Sequence, residues 1–289
     1  MIMNQVVSGG GSAPAGLYRE FQLDANGKLI PNPTTAHIMD FTGMTDVSDY
    51  SLAHAYYANR AITGAVDMSD LTTISGNNSC NNTFFGCTGI TSIDLSSLTT
   101  IVGYTACANM LSSCAGLTSA DLSALTTISG QNACNYMFQN CTGMTSVNLS
   151  SLTTISGSTA CGSMFVQCLR LTSANLSALT TVTGSSACGF MFQGCTGITS
   201  ANLSALTTVT GSGAFQQMFG SCTSLATVYI GGTTAIDFGT RTNQFNNIFS
   251  GCSQNIDVYA PAANQTFIES LTGYPNFGGT GTVTWHWRS

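Results

Sequence analysis

Twelve cysteines, three histidines and a recurring column of aspartate and asparagine are the side chains here with chemistry to offer. Eleven cysteines fall on two series of period 27. One is Cys87, Cys114, Cys141, Cys168, Cys195 and Cys222; the other, seven residues earlier in each unit, is Cys80, Cys107, Cys134, Cys161 and Cys188. Cys252 follows Cys222 by 30. Disulfides and a thiolate metal site are the chemistries such a pattern could serve. Zinc sites are built from close pairs such as Cys-x-x-Cys, and the sequence has none. Regular columns fit thiols packed as small buried apolar groups, because free cysteine is among the most buried residue types.

Nucleophilic catalysis needs a histidine within hydrogen-bond reach of a nucleophile and an orienting acid. His37, His54 and His286 all lie outside the regular array. No Gly-x-Ser-x-Gly, Walker-type or dinucleotide motif stands in the strand and helix context it requires. The sequence therefore predicts a protein that is not an enzyme and carries no cofactor.

The third candidate is the column Asp67, Asp94, Asp121, Asn148, Asn175, Asn202 and Tyr229. Its last six members are the candidate ligand-binding residues. Stacked carboxylates at Asp67, Asp94 and Asp121 would repel one another, and a bound cation would relieve that repulsion, which makes these three the one weak candidate metal site. The competing reading is a solvated polar face. Beside the column run Ser96, Ser123, Ser150, Ser177 and Ser204, small uncharged groups suited to hydrogen-bonding a hydroxyl-rich or peptide ligand.

The elements that position these residues follow from the period. The unit is clearest at residues 191–211, Met-Phe-x-x-Cys-x-Gly-Ile-Thr-Ser-x-Asn-Leu-Ser-x-Leu-Thr-Thr-Val-x-Gly. Every apolar position has a column: Phe84, Leu111, Phe138, Phe165, Phe192 and Phe219 form one, and Leu95, Leu122, Leu149, Leu176 and Leu203 another. Such a unit cannot close a core alone, but stacked turns bury a continuous one. Ile93 and Leu95 alternate with Asp94, which predicts a short parallel strand per coil with Asp94 and its equivalents facing solvent. The glycines at 76, 103, 130, 157, 184 and 211 are expected to mark turns of positive φ.

Composition limits the partners. Hydrophobic residues make up 43% of the 289 residues and charged residues 6%, against about 25% charged in a typical globular protein. Between Leu95 and Ile236 the only charged side chains are Asp121 and Arg170. With one lysine, five arginines and a net charge of −6, no basic stripe exists to engage phosphates, so nucleic acid and anionic membranes are excluded. No stretch approaches the roughly 18 apolar residues of a membrane span, and residues 1–5 lack the features of an export signal.

The pattern Ile-x-x-Ile-x-Leu-x-x-Leu-x-x-Ile-x-Gly followed by Met-Phe-x-x-Cys resembles the BspA-like leucine-rich repeats of bacterial surface proteins. The resemblance covers residues 60–277, including Ile256-Asp-Val-Tyr-Ala-Pro261 and the segment to Asn276, which look like the final strand and helix of such arrays. The opening, residues 3–30, resembles openings of repeat proteins encoded near phage tail genes. Read from its own residues, it is a Gly/Ser lead followed by a hairpin turning at Asn26-Gly27. Tyr57 to Ile74 reads as a degenerate capping coil with Arg60 in the cysteine place.

The expected architecture is thus a right-handed leucine-rich-repeat β-solenoid with short parallel strands, 27-residue repeats and capped ends. Residues 1–35 form the lead and hairpin, 36–255 the array with regular repeats at 63–224, and 256–289 the C-terminal cap and final strand. Trp285 and Trp287 are expected to close the apolar end of the array, with a sugar-stacking platform as the sharper alternative. The function this implies is a binding or adhesion scaffold that recognises a host or bacterial surface protein or glycan through the strand face or the loops between Gly103 and Cys114 and their equivalents, at the cell surface or on a virion. The alternative is a spacer or oligomerisation module of a phage tail or surface assembly.

Overall fold

The computed structural model describes residues 21–23, 29–31, 41, 43–47 and 52–289. The strands Phe21–Leu23 and Leu29–Pro31 pair antiparallel with Leu23 opposite Leu29, and the turn expected at Asn26-Gly27 lies outside the described residues. From Leu52 onward the chain winds as a solenoid of parallel strands, and each coil stacks on the next.

One face carries nine strands: Thr63–Asp67, Gly89–Asp94, Ser119–Asp121, Ser146–Asn148, Ser173–Asn175, Ser200–Leu203, Thr227–Ile230, Ile256–Pro261 and Val283–Arg288. Their neighbours are parallel throughout. Alternation sets their facing as the sequence predicts. Ile93 and Leu95 are buried and Asp94 is half-exposed between them. A second face carries seven two-residue strands, from Asp46–Val47 to Thr208–Val209, in one unbroken sheet.

Between the faces lies a continuous core built from the repeated columns. Phe138, Phe165, Phe192 and Phe219 stack ring on ring at 5.3, 5.3 and 5.8 Å, nearly coplanar at each step. All twelve cysteines are buried and unbridged. The Cys114 thiol donates to the carbonyl of Phe84, Cys141 to Leu111, Cys168 to Phe138 and Cys195 to Phe165. Each thiol thereby ties its coil to the one before. Burial pushes the Cys114 and Cys168 thiols up to about 12. Cys107 is raised as well, foremost by hydrogen bonding with the thiols of Cys134 and Cys80.

The arc that carries the cysteines is a ladder of turns joined coil to coil. Alternate amides there bond across to the next coil, as Asn82 to Ala108 and Asn109 to Asn135. Left-handed backbone recurs every fourth residue, at Asn132, Tyr136 and Asn140 in one coil and at Thr159, Ser163 and Gln167 in the next. Non-glycine residues adopt this conformation reluctantly. Here the bonds between coils offset the cost.

The glycine column departs from expectation. None of Gly103, Gly130, Gly157, Gly184 and Gly211 has positive φ. Glycine is required there by close approach: a Cβ on each would collide with the carbonyl oxygen of the column glycine one coil earlier. Gly281 meets the backbone of Gln254 in the same way and carries the rule into the last coil.

Two irregularities punctuate the array. A bulge between Gly64 and Ala65 shifts the first main strand against Gly89–Asp94. In the turns before that strand, Tyr56 stacks on Phe84 at 5.3 Å, where a strict 27-residue spacing would place Tyr57. The second is a parting of the main face into a four-stranded and a five-stranded sheet between Ser146–Asn148 and Ser173–Asn175.

At the C-terminal end, the buried Asn264 side chain accepts from Ile236 N at 2.7 Å and donates to Ile236 O at 2.9 Å. That clamp holds the longer connection of the preceding coil against the cap. Phe267 of the helix Gln265–Glu269 stacks on Phe238 at 4.7 Å. Trp285 and Trp287 stack on each other at 5.6 Å, and Trp285 donates from Nε1 to Pro275 O. Both indoles are partly buried and pack against the core.

Candidate functional site

The predicted column comes together as one row on the outward side of the main strands. Asp67, Asp94, Asp121 and Asn148 are aligned in register in the first sheet. Asn175, Asn202 and Tyr229 continue the row in the second. The row then runs through Tyr259 and His286, which the 27-residue spacing did not reach because the connection after Ile230 is longer. The signal that finds them is strand alternation counted back from Ala260 and Trp287.

Most of the row performs a local task. Oδ1 of Asp67, Asp94, Asp121, Asn148, Asn175 and Asn202 accepts from the backbone N–H two residues on, at Ser69, Ser96, Ser123, Ser150, Ser177 and Ser204, over 2.9–3.2 Å. These are Asx turns that end each strand, and an aspartate or an asparagine supplies the same acceptor. This accounts for the interchange of the two residue types along the column. In each case it is Oδ1 that serves the turn.

Among the described residues no group of three or more His, Cys, Asp or Glu side chains is placed to hold a metal ion, and Asp67, Asp94 and Asp121 form no such group. The flanking threonines are also engaged within the array: the hydroxyls of Thr99, Thr126, Thr153, Thr180 and Thr207 each donate to the carbonyl 27 residues back.

The C-terminal end of the row is chemically different. Tyr229 stacks on Tyr259 at 4.9 Å and Tyr259 on His286 at 4.6 Å. His286 Nε2 lies 2.9 Å from Asp257 Oδ1, and the Arg288 guanidinium lies 5.6 Å from the Tyr229 ring centre. The only concentration of aromatic and ionic groups on the outward face of the described strands is therefore at its last three strands. His54 stands apart at the other end, 5.8 Å from the Tyr57 ring. His37 lies outside the described residues. His54 and His286 thus share no site, and the ring contacts of His286 are an acid and a phenol.

Among the described residues no helix is long and apolar enough to cross a membrane. No curated protein matches the chain. Among solved structures, the chain is similar to a leucine-rich repeat protein from Bacteroides ovatus, with 15% identity and a TM-score of 0.33 over 92% of this chain and 75% of that one. Residues 55–188 and 113–254 match the BspA type leucine rich repeat region in six copies. These matches cover more than half of the sequence, and the chain belongs to the BspA type leucine-rich repeat family.

Proposed function

We propose that this chain is a non-catalytic scaffold that binds a protein or glycan of a host or bacterial surface through its main strand face. The observation that carries this reading is the outward row itself. It carries small uncharged groups from Asn148 to Asn202, runs in register from Asn175 through Asn202 to Tyr229, and ends in the ring stack of Tyr229, Tyr259 and His286. Uncharged donors and acceptors are inexpensive to desolvate, and aromatic rings supply contact area at small entropic cost. Repeat families of this kind typically act as binding scaffolds. Presentation on a cell surface or a virion goes with that role.

The test is binding of the labelled chain to intact bacterial and epithelial cells, beside an Asn175→Arg variant whose fold is verified by circular dichroism. Loss of binding in the variant supports recognition through the strand face. Absence of binding by the unmodified chain to every cell type removes the adhesion reading. The spacer or oligomerisation reading then takes its place, and the edge position of Val283–Arg288 among the described strands favours it.

A further inference from the structure

Among the described residues, Val283–Arg288 is the edge strand of the main face. Val283–Arg288 pairs with Ile256–Pro261 over six residues without a register shift. Natural edge strands are usually protected by brevity, lysine, proline or a bulge. This one has none of these. Its hydrogen-bonding groups alternate, and Thr282 O accepts from Ile256 N. Thr284 and His286 therefore direct their backbone groups inward along the same ladder, and Val283, Trp285 and Trp287 direct theirs outward.

We infer that two copies of this chain join end to end through antiparallel pairing of Val283–Arg288 about His286. Three observations select a second copy as the occupant. First, the sequence around His286 is symmetric, Trp285-His286-Trp287. A two-fold axis at His286 pairs Trp285 with Trp287 of the other copy, and these are the residues whose backbone groups face outward. The same pairing brings indoles of both copies together on the core side, where Trp285 and Trp287 of one chain are still only half-buried.

Second, the ring stack is open-ended. His286 has Tyr259 on one side at 4.6 Å, and the axis supplies the other copy's imidazole to its remaining face. Third, the charges are complementary. The pairing sets Arg288 of one copy opposite Thr284 of the other, and Thr284 neighbours Asp257. Arg288 already reaches two strands within its own chain to donate to Gly231 O, and its Nε is buried without a hydrogen-bond partner. Across the axis the same reach brings it to the carboxylate of Asp257 in the other copy, twice per dimer.

This inference stands apart from recognition through the strand face and is tested on the full chain without any ligand. Sedimentation equilibrium over a wide concentration range is expected to give a dimer. In antiparallel sheets, residues opposite each other outside the hydrogen-bonded rings have Cα atoms about 4.5 Å apart, within disulfide reach. His286→Cys is therefore expected to cross-link rapidly under mild oxidation. Thr284→Cys, which lies opposite Arg288 and away from its own equivalent, is expected to remain uncross-linked. Asp257→Arg and Arg288→Asp are each expected to weaken dimerisation about tenfold or more, and the combined swap to restore it. A chain that stays monomeric at all concentrations, or cross-linking by Thr284→Cys as fast as by His286→Cys, overturns the inference.

Discussion

Arg170 occupies the place that Gly143 holds one coil earlier and Gly197 one coil later, and the main sheet parts at its coil. A Cβ on Gly143 would stand 2.5 Å from the carbonyl oxygen of Ala115. Arg170 has that Cβ, so its coil cannot close on the one before. The consequences are local: Val147 is only partly covered, Leu169 is exposed, and the Thr172 hydroxyl reaches Thr145 O only at 3.5 Å. On the second face the sheet runs on through Ile155 and Val182. The two faces of one coil thus respond separately to one side chain.

Arg170→Gly is expected to close this seam. Hydrogen exchange should slow at the amides of residues 146–148 and 172–175, and stability to urea should rise by about 1 kcal/mol, the scale of the ladder bonds and apolar cover regained. The reverse change, Gly143→Arg, should open a second seam and cost about 1–3 kcal/mol, the range for forced overpacking. An unchanged exchange pattern in Arg170→Gly would show that another residue parts the sheet.

The turn-forming role of the aspartate and asparagine row is tested by a pair of substitutions at Asp121. Asp121→Asn keeps the acceptor for Ser123 N and should leave stability within about 0.5 kcal/mol, as expected of a surface change that spares the turn. Asp121→Ala removes the acceptor and should cost about 0.5–1.5 kcal/mol, the worth of one such hydrogen bond. Urea unfolding distinguishes the two outcomes.

The thiols link stability to alkaline pH. Burial raises Cys87 and Cys252 to about 11 and Cys114 and Cys168 to about 12 in the folded chain. In the unfolded chain they titrate near 8.5. Between these limits the folded state holds more protons, so its stability falls as pH rises. The urea midpoint is expected to be level up to about pH 8 and to drop steeply between pH 9 and 12. Replacing Cys114 and Cys168 by alanine should flatten the curve. In the native chain at pH 8, thiol reagents should label none of the twelve cysteines until urea unfolds it.

Asn264 offers a test of the cap. Asn264→Leu keeps the volume and removes both bonds to Ile236, leaving a buried N–H and C=O unpaired. The expected loss is about 2–4 kcal/mol, from two backbone groups left without partners. Protease cleavage should then appear first in the connection between Gly231 and Gln244, ahead of any cut in the regular coils.

Much of this architecture was legible in the sequence because each coil repeats one physical problem. The cysteine, phenylalanine and leucine columns stated the period, and Asp94 between Ile93 and Leu95 stated which side of the strand faces out. The glycine column was visible, but its cause was not. Positive φ and close approach both select glycine, and only the backbone of the neighbouring coil, as at Gly103 against Gly76, separates them. The Asp/Asn row was likewise visible as a column, whereas its use as a turn acceptor depends on the geometry at Ser96 and its equivalents.

The sequence by itself determined what recurs: the coil length, the inward and outward alternation and the burial of the thiols. Each is a periodic requirement that the same residue types meet in every repeat. Only the tertiary structure decided what breaks the repetition. A bulge at Gly64 shifted the first main strand, Tyr56 in place of Tyr57 met Phe84, Arg170 parted the sheet, and the longer connection before the cap aligned Tyr229 with Tyr259 and His286. These features depend on how one coil meets the next across a few ångströms, and that distance is set by packing between residues far apart in sequence.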